Sequence, residues 1–85
     1  MDLTGGITEI NVHNMRTEEA IRSIKNAVNK AAPSVYRIRV IHGYHGGTRI
    51  RDAIDDEFAY GRVNRVKRVA RGSNPGITEL ILREY

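Results

Sequence analysis

The sequence predicts an α/β fold, a two-layer sandwich in which two helices cover one face of a mixed four-stranded sheet. Three observations support this fold class. Two segments place apolar residues at helical spacing, four segments are rich in β-forming residues, and their order is strand, helix, strand, helix, strand, strand. Each helix has one apolar stripe and therefore needs an apolar sheet face to cover. The 85 residues fit a single domain with a core of about residues 7–84.

The first strand and the first helix follow from apolar spacing. Residues 7–13 place apolar side chains at positions 7, 10 and 12, an imperfect alternation that predicts a short strand. Positions 20, 21, 24, 27, 28 and 31 are apolar and form one stripe at helical spacing. Thr17 is predicted to cap this helix, and Pro33 to end it near Ala32.

The second strand and the second helix flank a loop rich in glycine. Residues 35–41 alternate, which predicts a strand with two arginines on the face opposite its apolar side chains. Apolar residues at 50, 53, 54 and 58 then predict a helix, with Gly47 or Thr48 as its N-cap and Gly61 at its end.

Two further strands are predicted after this helix. Residues 63–70 are rich in valine, although the valines recur every third residue rather than every second. The turn cluster at 72–76 separates this segment from a last strand at 77–82, in which Leu80 and Leu82 share a face. Right-handed crossovers predict a common direction for the first three strands, and the turn predicts an antiparallel last pair.

Composition excludes several classes of site. The absence of cysteine excludes disulfides, thiolate zinc sites and cysteine nucleophiles. The N-terminus does not have the pattern of a signal peptide, and no apolar stretch approaches the roughly 20 residues that span a bilayer. We therefore expect a soluble cytoplasmic domain without membrane contact, with any site in a surface groove or a loop cluster.

Positive charge is concentrated in the C-terminal part of the chain. Residues 1–34 hold four basic and four acidic side chains, whereas residues 35–85 hold ten and six, which accounts for the net charge of +4. Between Tyr60 and Gly76 there are five basic residues and no acid. Most of these are arginines, whose planar guanidinium suits phosphate oxygens. The asymmetry indicates an anionic partner, nucleic acid first of all; the alternative is an ordinary solvated strand face.

The segment HGYHGGT, residues 42–48, joins a strand to a helix and has the composition of a phosphate-binding loop. The first N–H groups of a helix lack internal partners, and glycines allow the backbone to approach an anion closely. The spacing matches neither a Walker A loop nor the dinucleotide-binding fingerprint, so a plain strand-to-helix turn stays open as an alternative. The residues predicted to hold a phosphate here are Gly43, His45, Gly46, Gly47, Thr48, Arg49 and Arg51.

Two histidines are predicted to meet at one edge of the sheet. His13 ends the first predicted strand and His42 follows the second, and parallel strands end at the same edge, where open α/β sheets bind their ligands. Histidine exchanges protons near neutral pH, so this pair has the chemistry to act on a phosphodiester. Each ring is equally suited to a structural role, bonded to a nearby carbonyl. No carboxylate is placed to complete a histidine metal site, and we expect none.

The two histidine-bearing motifs resemble those of a known family. INVH at 10–13 and HGYHGG at 42–47 are similar to the L-D-x-H-type and H-G-x-G-x-G-type motifs of the Smr (small MutS-related) domain family. The resemblance covers nearly the whole chain, from residue 7 to residue 82. It implies a two-layer α/β sandwich similar to the C-terminal domain of translation initiation factor three, which agrees with the order of elements above.

The resemblance also implies a function. Smr domains are associated with DNA or RNA binding, and several members nick or cleave nucleic acid. His13 and His42 match the motif histidines, and Gly43 and Gly47 match the loop glycines. Asn11 stands where the family commonly has Asp, and an amide cannot act as a general base. The catalytic candidates that the resemblance implies are His13, His42 and Asn11.

We therefore expect a nucleic-acid-binding domain that holds phosphates with its glycine loop. We leave open whether the domain also nicks DNA or RNA as an endonuclease. We would expect Mg²⁺ or Mn²⁺ as a cofactor only if the domain has nuclease activity. The alternative is a non-catalytic protein-interaction module that uses the basic strand face. A place within a larger multidomain protein is a further expectation. The basic track predicted to extend the loop consists of Arg65, Lys67, Arg68 and Arg71.

Overall fold

Six elements follow one another in the predicted order in the computed structural model, which describes residues 6–43, 48–59 and 63–83. They are β1 (Ile7–Asn11), α1 (Thr17–Lys30), β2 (Arg37–Ile41), α2 (Arg49–Phe58), β3 (Arg68–Arg71) and β4 (Ile77–Ile81). Neither of the two helices in these ranges is long and apolar enough to cross a membrane.

The four strands form one mixed sheet in the order β1-β2-β4-β3. β1 pairs with β2 in parallel, and β4 pairs in antiparallel orientation with both β2 and β3. The strand β3 therefore runs in the same direction as β2, with β4 between them. The predicted mixed four-stranded sheet is confirmed, including its antiparallel last pair.

The core fills the space between the two helices and one face of the sheet. α1 buries every fourth residue of its apolar stripe, which is the face that its spacing predicts. Burial of apolar surface is the main stabilising term in a small domain, at about 25 cal/mol per Å². The residues that are fully buried in this layer are Ala20, Ile24 and Val28 of α1, Ile54 and Phe58 of α2, Ile38 and Val40 of β2, and Leu80 of β4.

The strand β3 is shorter than the segment 63–70 predicted for it. It begins at Arg68, and before it the N–H of Val66 donates to the carbonyl of Val63 at 3.0 Å. Val66 is buried and packs in the core. The three-residue spacing of the valines therefore belongs to a turn that directs one valine into the core, and not to an alternating strand.

Helix α1 ends near Pro33, as its sequence predicts, but its start differs by one position. Arg16 occupies the N-cap with an extended backbone, and Thr17 is already the first helical residue. Glu18 and Glu19 lie in the first turn, where negative charge favours the positive end of the helix dipole.

Helix α2 has Thr48 at its N-cap, one of the two positions predicted. The hydroxyl of Thr48 donates to the carboxylate of Asp52 at 2.9 Å and does not accept a backbone N–H. The other predicted boundary residues, Gly47 and Gly61, lie outside the described residues.

The face of the sheet opposite the helices carries a line of charged side chains. Nη1 of Arg37 and Nε of Arg39 donate to the two carboxylate oxygens of Glu79, at 2.7 and 3.1 Å. The side chain of Glu79 is only 9% exposed, and Glu9 contacts Arg39 from the neighbouring strand at 3.4 Å. The hydrogen bond with Glu79 raises the pKa of Arg39. These contacts tie β1, β2 and β4 together on the open face.

Removal of the central carboxylate is expected to destabilise the fold. In Glu79→Gln two guanidinium groups face a neutral amide, and we expect the free energy of unfolding to fall by about 1–3 kcal/mol. Glu9→Gln is the matched control, because Glu9 is exposed and a surface ion pair contributes about 0–1 kcal/mol. Chemical denaturation followed by circular dichroism measures both variants. Equally small losses in the two would show that the Glu79 contacts contribute little.

Candidate functional site

The carboxyl ends of β1 and β2 bring the two sequence motifs together. These strands are parallel and in register, with Asn11 opposite Ile41. His13 and His42 therefore follow at the same edge of the sheet. A Cβ atom added to Gly43 would stand 3.4 Å from Cβ of His13, so the two segments are in contact. We call the region of His13, His42 and Gly43 the carboxyl edge.

His42 is buried, and both of its ring nitrogens have hydrogen-bond partners. Only 6% of the residue is exposed. Nδ1 lies 2.7 Å from the carbonyl oxygen of Gly43, and Nε2 lies 2.8 Å from the hydroxyl oxygen of Thr78 in β4. A carbonyl oxygen only accepts, so Nδ1 carries the hydrogen directed at Gly43. In this arrangement His42 holds the end of β2 and offers no ring nitrogen to solvent.

His13 has the opposite character, because it is exposed. The side-chain oxygen of Asn11 accepts the backbone N–H of His13 at 3.1 Å and also lies against Nδ1 of its ring. An amide oxygen only accepts, so Nδ1 donates and Nε2 is the nitrogen left for a ligand. Asn11 thus orients the ring and selects its tautomer, as a carboxylate would, but without negative charge.

The glycine loop begins with a left-handed residue that the turn at 72–76 holds in place. Gly43 has a φ of +74°, a conformation that residues with a side chain rarely adopt. The N–H groups of His42 and Gly43 both donate to the carbonyl of Gly76, at 2.9 and 3.0 Å. The N–H of Gly76 donates in turn to the side chain of Asn74 at 2.8 Å. The sequence identified this segment only as a turn, and nothing in its composition indicated that it contacts the loop.

Helix α2 follows Gly43 after a connection of residues 44–48. Arg49 is its first residue and is exposed. Arg51 is half-buried; its Nη2 lies 3.5 Å from Asp52, and its Nε has no hydrogen-bond partner among the described residues. Three predicted phosphate-binding residues fall in 44–47, outside the described part of the chain: His45, Gly46 and Gly47.

The basic residues of the predicted track lie at both ends of β3. Arg71 pairs with Thr78 at the end next to the carboxyl edge, and its guanidinium donates to the Thr78 hydroxyl at 3.3 Å. Arg68 pairs with Ile81 at the other end, where the N–H of Lys67 donates to the carbonyl of Ile81 at 2.7 Å. Since β3 and β2 run in the same direction, Lys67 and Arg68 lie toward the opposite edge of the sheet.

Arg65 reaches the C-terminus of α1. Its guanidinium donates to the carbonyls of Val28, Asn29 and Ala31, at 2.8, 3.1 and 3.0 Å. The last carbonyls of a helix have no partner within the helix and carry its negative dipole end, so a cation is favoured there. Arg65 thus closes α1 and joins it to the segment that leads into β3.

The carboxyl edge offers few ligands for a metal ion. No group of three or more His, Cys, Asp or Glu side chains converges on one position within residues 6–43, 48–59 and 63–83. Hard cations such as Mg²⁺ and Mn²⁺ take oxygen ligands, mainly carboxylates, whereas Asn11 is uncharged and His42 has both nitrogens bonded within the protein. The described residues do not fit a resident ion of this kind.

The structure is similar to a solved domain. The crystal structure of the Smr domain of MutS2 from Thermus thermophilus matches it with a TM-score of 0.77 and 26% sequence identity. The match covers 91% of this chain and 99% of that chain. No family model matches the sequence, and no curated protein matches it.

Arg65 is expected to be important for stability. Arg65→Ala removes the guanidinium from three helix-end carbonyls, of which Val28 keeps the N–H of Ala31 at 3.3 Å, and we expect the free energy of unfolding to fall by about 1–3 kcal/mol. Arg65→Lys should recover only part of this loss, because an ammonium group does not reproduce the planar fork that reaches several carbonyls. Thermal or urea unfolding measures both variants. An unchanged midpoint in Arg65→Ala would contradict the capping role.

Proposed function

We propose that this chain, an Smr domain by its fold and its two motifs, binds nucleic acid through backbone phosphates at the carboxyl edge. The observation that carries the proposal is the close approach of His13 to Gly43 at the carboxyl edge, from which the chain continues to α2. The net charge of +4, all of it contributed by residues after position 34, supports an anionic partner.

The phosphate would lie between His13 and the first turn of α2. Helix N-termini bind anions because their first N–H groups lack partners and the helix dipole adds positive charge. Arg49 and Arg51 lie in this turn, where without an anion they oppose the dipole. Its one acid, Asp52, is already bonded by the hydroxyl of Thr48. A bound phosphate would therefore supply the negative charge that this turn requires.

The glycine loop completes the proposed phosphate site. The left-handed Gly43 directs the chain out of β2, and its own N–H is bonded to the carbonyl of Gly76. We assign to Gly46 and Gly47 the backbone N–H groups that approach the phosphate, and to His45 a direct contact with the ligand.

Further basic residues would extend the surface beyond a single phosphate. Arg71 lies close to the carboxyl edge with its guanidinium paired to Asp55, and Lys67 and Arg68 would meet the nucleic-acid backbone farther along β3. Arg65 is not part of this surface, because its guanidinium is bonded to the end of α1.

A protein-interaction module that uses a basic strand face is the competing interpretation. On the open face of the sheet, Arg37 and Arg39 both donate to the carboxylate of Glu79. Glu9 also contacts Arg39, so two carboxylates compensate the two guanidinium groups, which favours the carboxyl edge as the place where an anion binds.

Phosphodiester cleavage is a second candidate activity, favoured by the orientation of His13. Asn11 holds Nδ1 of an exposed imidazole, which would leave Nε2 for the proposed phosphate. Histidine in this arrangement can take a proton from an attacking oxygen or give one to a leaving oxygen. His42 contributes by holding the loop, since its two nitrogens are bonded inside the protein.

The binding proposal predicts a strong dependence of affinity on salt. The logarithm of the association constant should fall with the logarithm of salt concentration by about 0.9 per duplex phosphate contacted. Arg49→Gln should weaken binding to all sequences and lower this slope by about 1. Arg22→Gln is the matched control, because it removes the same charge from an exposed position on α1.

Fluorescence anisotropy with labelled DNA and RNA, in single- and double-stranded form, measures these slopes. The absence of salt-dependent binding to every one of these probes would refute the proposal and favour the interaction module. Equal effects of Arg49→Gln and Arg22→Gln would place the binding surface elsewhere.

Nicking is tested on plasmid DNA and structured RNA, with EDTA, Mg²⁺ or Mn²⁺. His13→Ala should abolish any cleavage while leaving the fold intact, because this ring is exposed and, among the described residues, its side-chain bond is to Asn11. His42→Ala should lose cleavage together with stability. Cleavage that persists unchanged in His13→Ala would come from a contaminating nuclease and would refute this second activity.

A further inference from the structure

A chain of hydrogen bonds crosses the sheet next to the carboxyl edge. The carboxylate of Asp55 in α2 accepts a hydrogen bond from Nη2 of Arg71 in β3. Nη1 of the same guanidinium donates to the hydroxyl oxygen of Thr78 in β4 at 3.3 Å. That hydroxyl lies 2.8 Å from Nε2 of His42, whose Nδ1 lies 2.7 Å from the carbonyl oxygen of Gly43. Side chains of three elements thus lead to the first residue of the glycine loop.

These bonds have one consistent direction. The carbonyl of Gly43 only accepts, so Nδ1 of His42 donates, and Nε2 of a neutral imidazole is then an acceptor. The hydroxyl of Thr78 accepts from Arg71, which can only donate, and turns its own hydrogen to Nε2. Every donor then points from Arg71 toward Gly43. For a neutral His42 ring, the geometry assigns the hydrogen to Nδ1.

Thr78 stands where the fold alone would favour an apolar residue. It is fully buried and faces the helices, on the same side of β4 as Leu80. A valine would fill nearly the same volume without a polar group to satisfy. The Thr78 hydroxyl has hydrogen-bond partners because Arg71 and His42 lie on either side of it. These two hydrogen bonds explain why a threonine occupies this buried position.

We infer that Thr78 and Arg71 are positioning residues for the phosphate site, which act through His42 on the carbonyl of Gly43. Holding this carbonyl fixes Gly43, the last described residue before the rest of the loop, together with its N–H bond to Gly76. Arg71 then influences binding through the loop as well as through its charge, and His42 passes no proton to a ligand. The consequence for binding rests on the proposed function, whereas the hydrogen-bond chain exists in the free domain.

Ring-nitrogen NMR of the free domain tests the chain directly. His42 should show a protonated Nδ1 and an unprotonated, hydrogen-bonded Nε2. Thr78→Val should shift the Nε2 resonance and the Gly43 amide, and Thr78→Ser, which keeps the hydroxyl, should return both. A hydrogen on Nε2 in the wild-type domain, or Thr78→Val spectra identical to wild type, would overturn the inference.

Arg71→Gln provides a second variant that does not depend on a buried substitution, because the Arg71 side chain is 55% exposed. Arg71→Gln should shift the Nε2 resonance of His42, whereas Arg22→Gln should leave this resonance unchanged. If Thr78→Val does not fold, the comparison of Arg71→Gln with Arg22→Gln tests the hydrogen-bond chain. Equal spectra for Arg71→Gln and the wild type would overturn the role of Arg71.

The binding measurement adds the functional consequence. Thr78→Val should lower affinity for the anisotropy probes by roughly tenfold without a change in the salt slope, because no phosphate contact is removed. Thr78→Ser should restore affinity. Wild-type affinity in Thr78→Val would overturn the positioning role. If the ring spectra are as expected but no probe binds the wild-type domain, the proposed function fails while the hydrogen-bond chain stands.

Discussion

Parallel pairing of β1 with β2 is the constraint on which the rest of the structure depends. α1 returns the chain across the sheet, so that β2 lies beside β1 in the same direction and both strands end at one edge. There His13 meets Gly43. β4 then pairs antiparallel along the other side of β2, which brings Gly76 to the same edge, where its carbonyl accepts the N–H groups of His42 and Gly43. The site is therefore a meeting of strand ends and a turn, which suits a domain too small for a deep cleft.

The two histidines have different hydrogen-bond partners and different exposure, which gives identical side chains different roles. His42 lies between a carbonyl and a buried hydroxyl, and its ring serves as a connector between β2 and β4. His13 is exposed beyond the end of β1, and within the described part of the chain Asn11 orients its ring through Nδ1. An amide gives the ring the orientation that a carboxylate would give but carries no charge. For the proposed function, this difference matters more for acid–base chemistry than for phosphate binding.

Positive charge in this domain has more than one function, which a count of basic residues does not show. Arg65 closes a helix, Arg37 and Arg39 neutralise a buried carboxylate, and Arg71 connects α2 to the interior of the sheet. Arginine serves all of these tasks because its fork donates several hydrogen bonds in one plane. Arg49, exposed at the start of α2, is the clearest candidate for contact with an external anion.

Local spacing was enough to predict the order of the six elements, the buried stripe that contains Ile24 and the α/β class, because periodicity is a property of neighbouring residues. The two motifs were enough to indicate the Smr family, which the structural match supports. The start of β3 was predicted too early, at residue 63 instead of Arg68. A turn can also place a valine in the core, as it does with Val66. Only the tertiary structure decided which histidine is buried. Thr78 lies 36 residues from His42, and the pairing of β2 with β4, two strands far apart in the sequence, brings its hydroxyl to the ring.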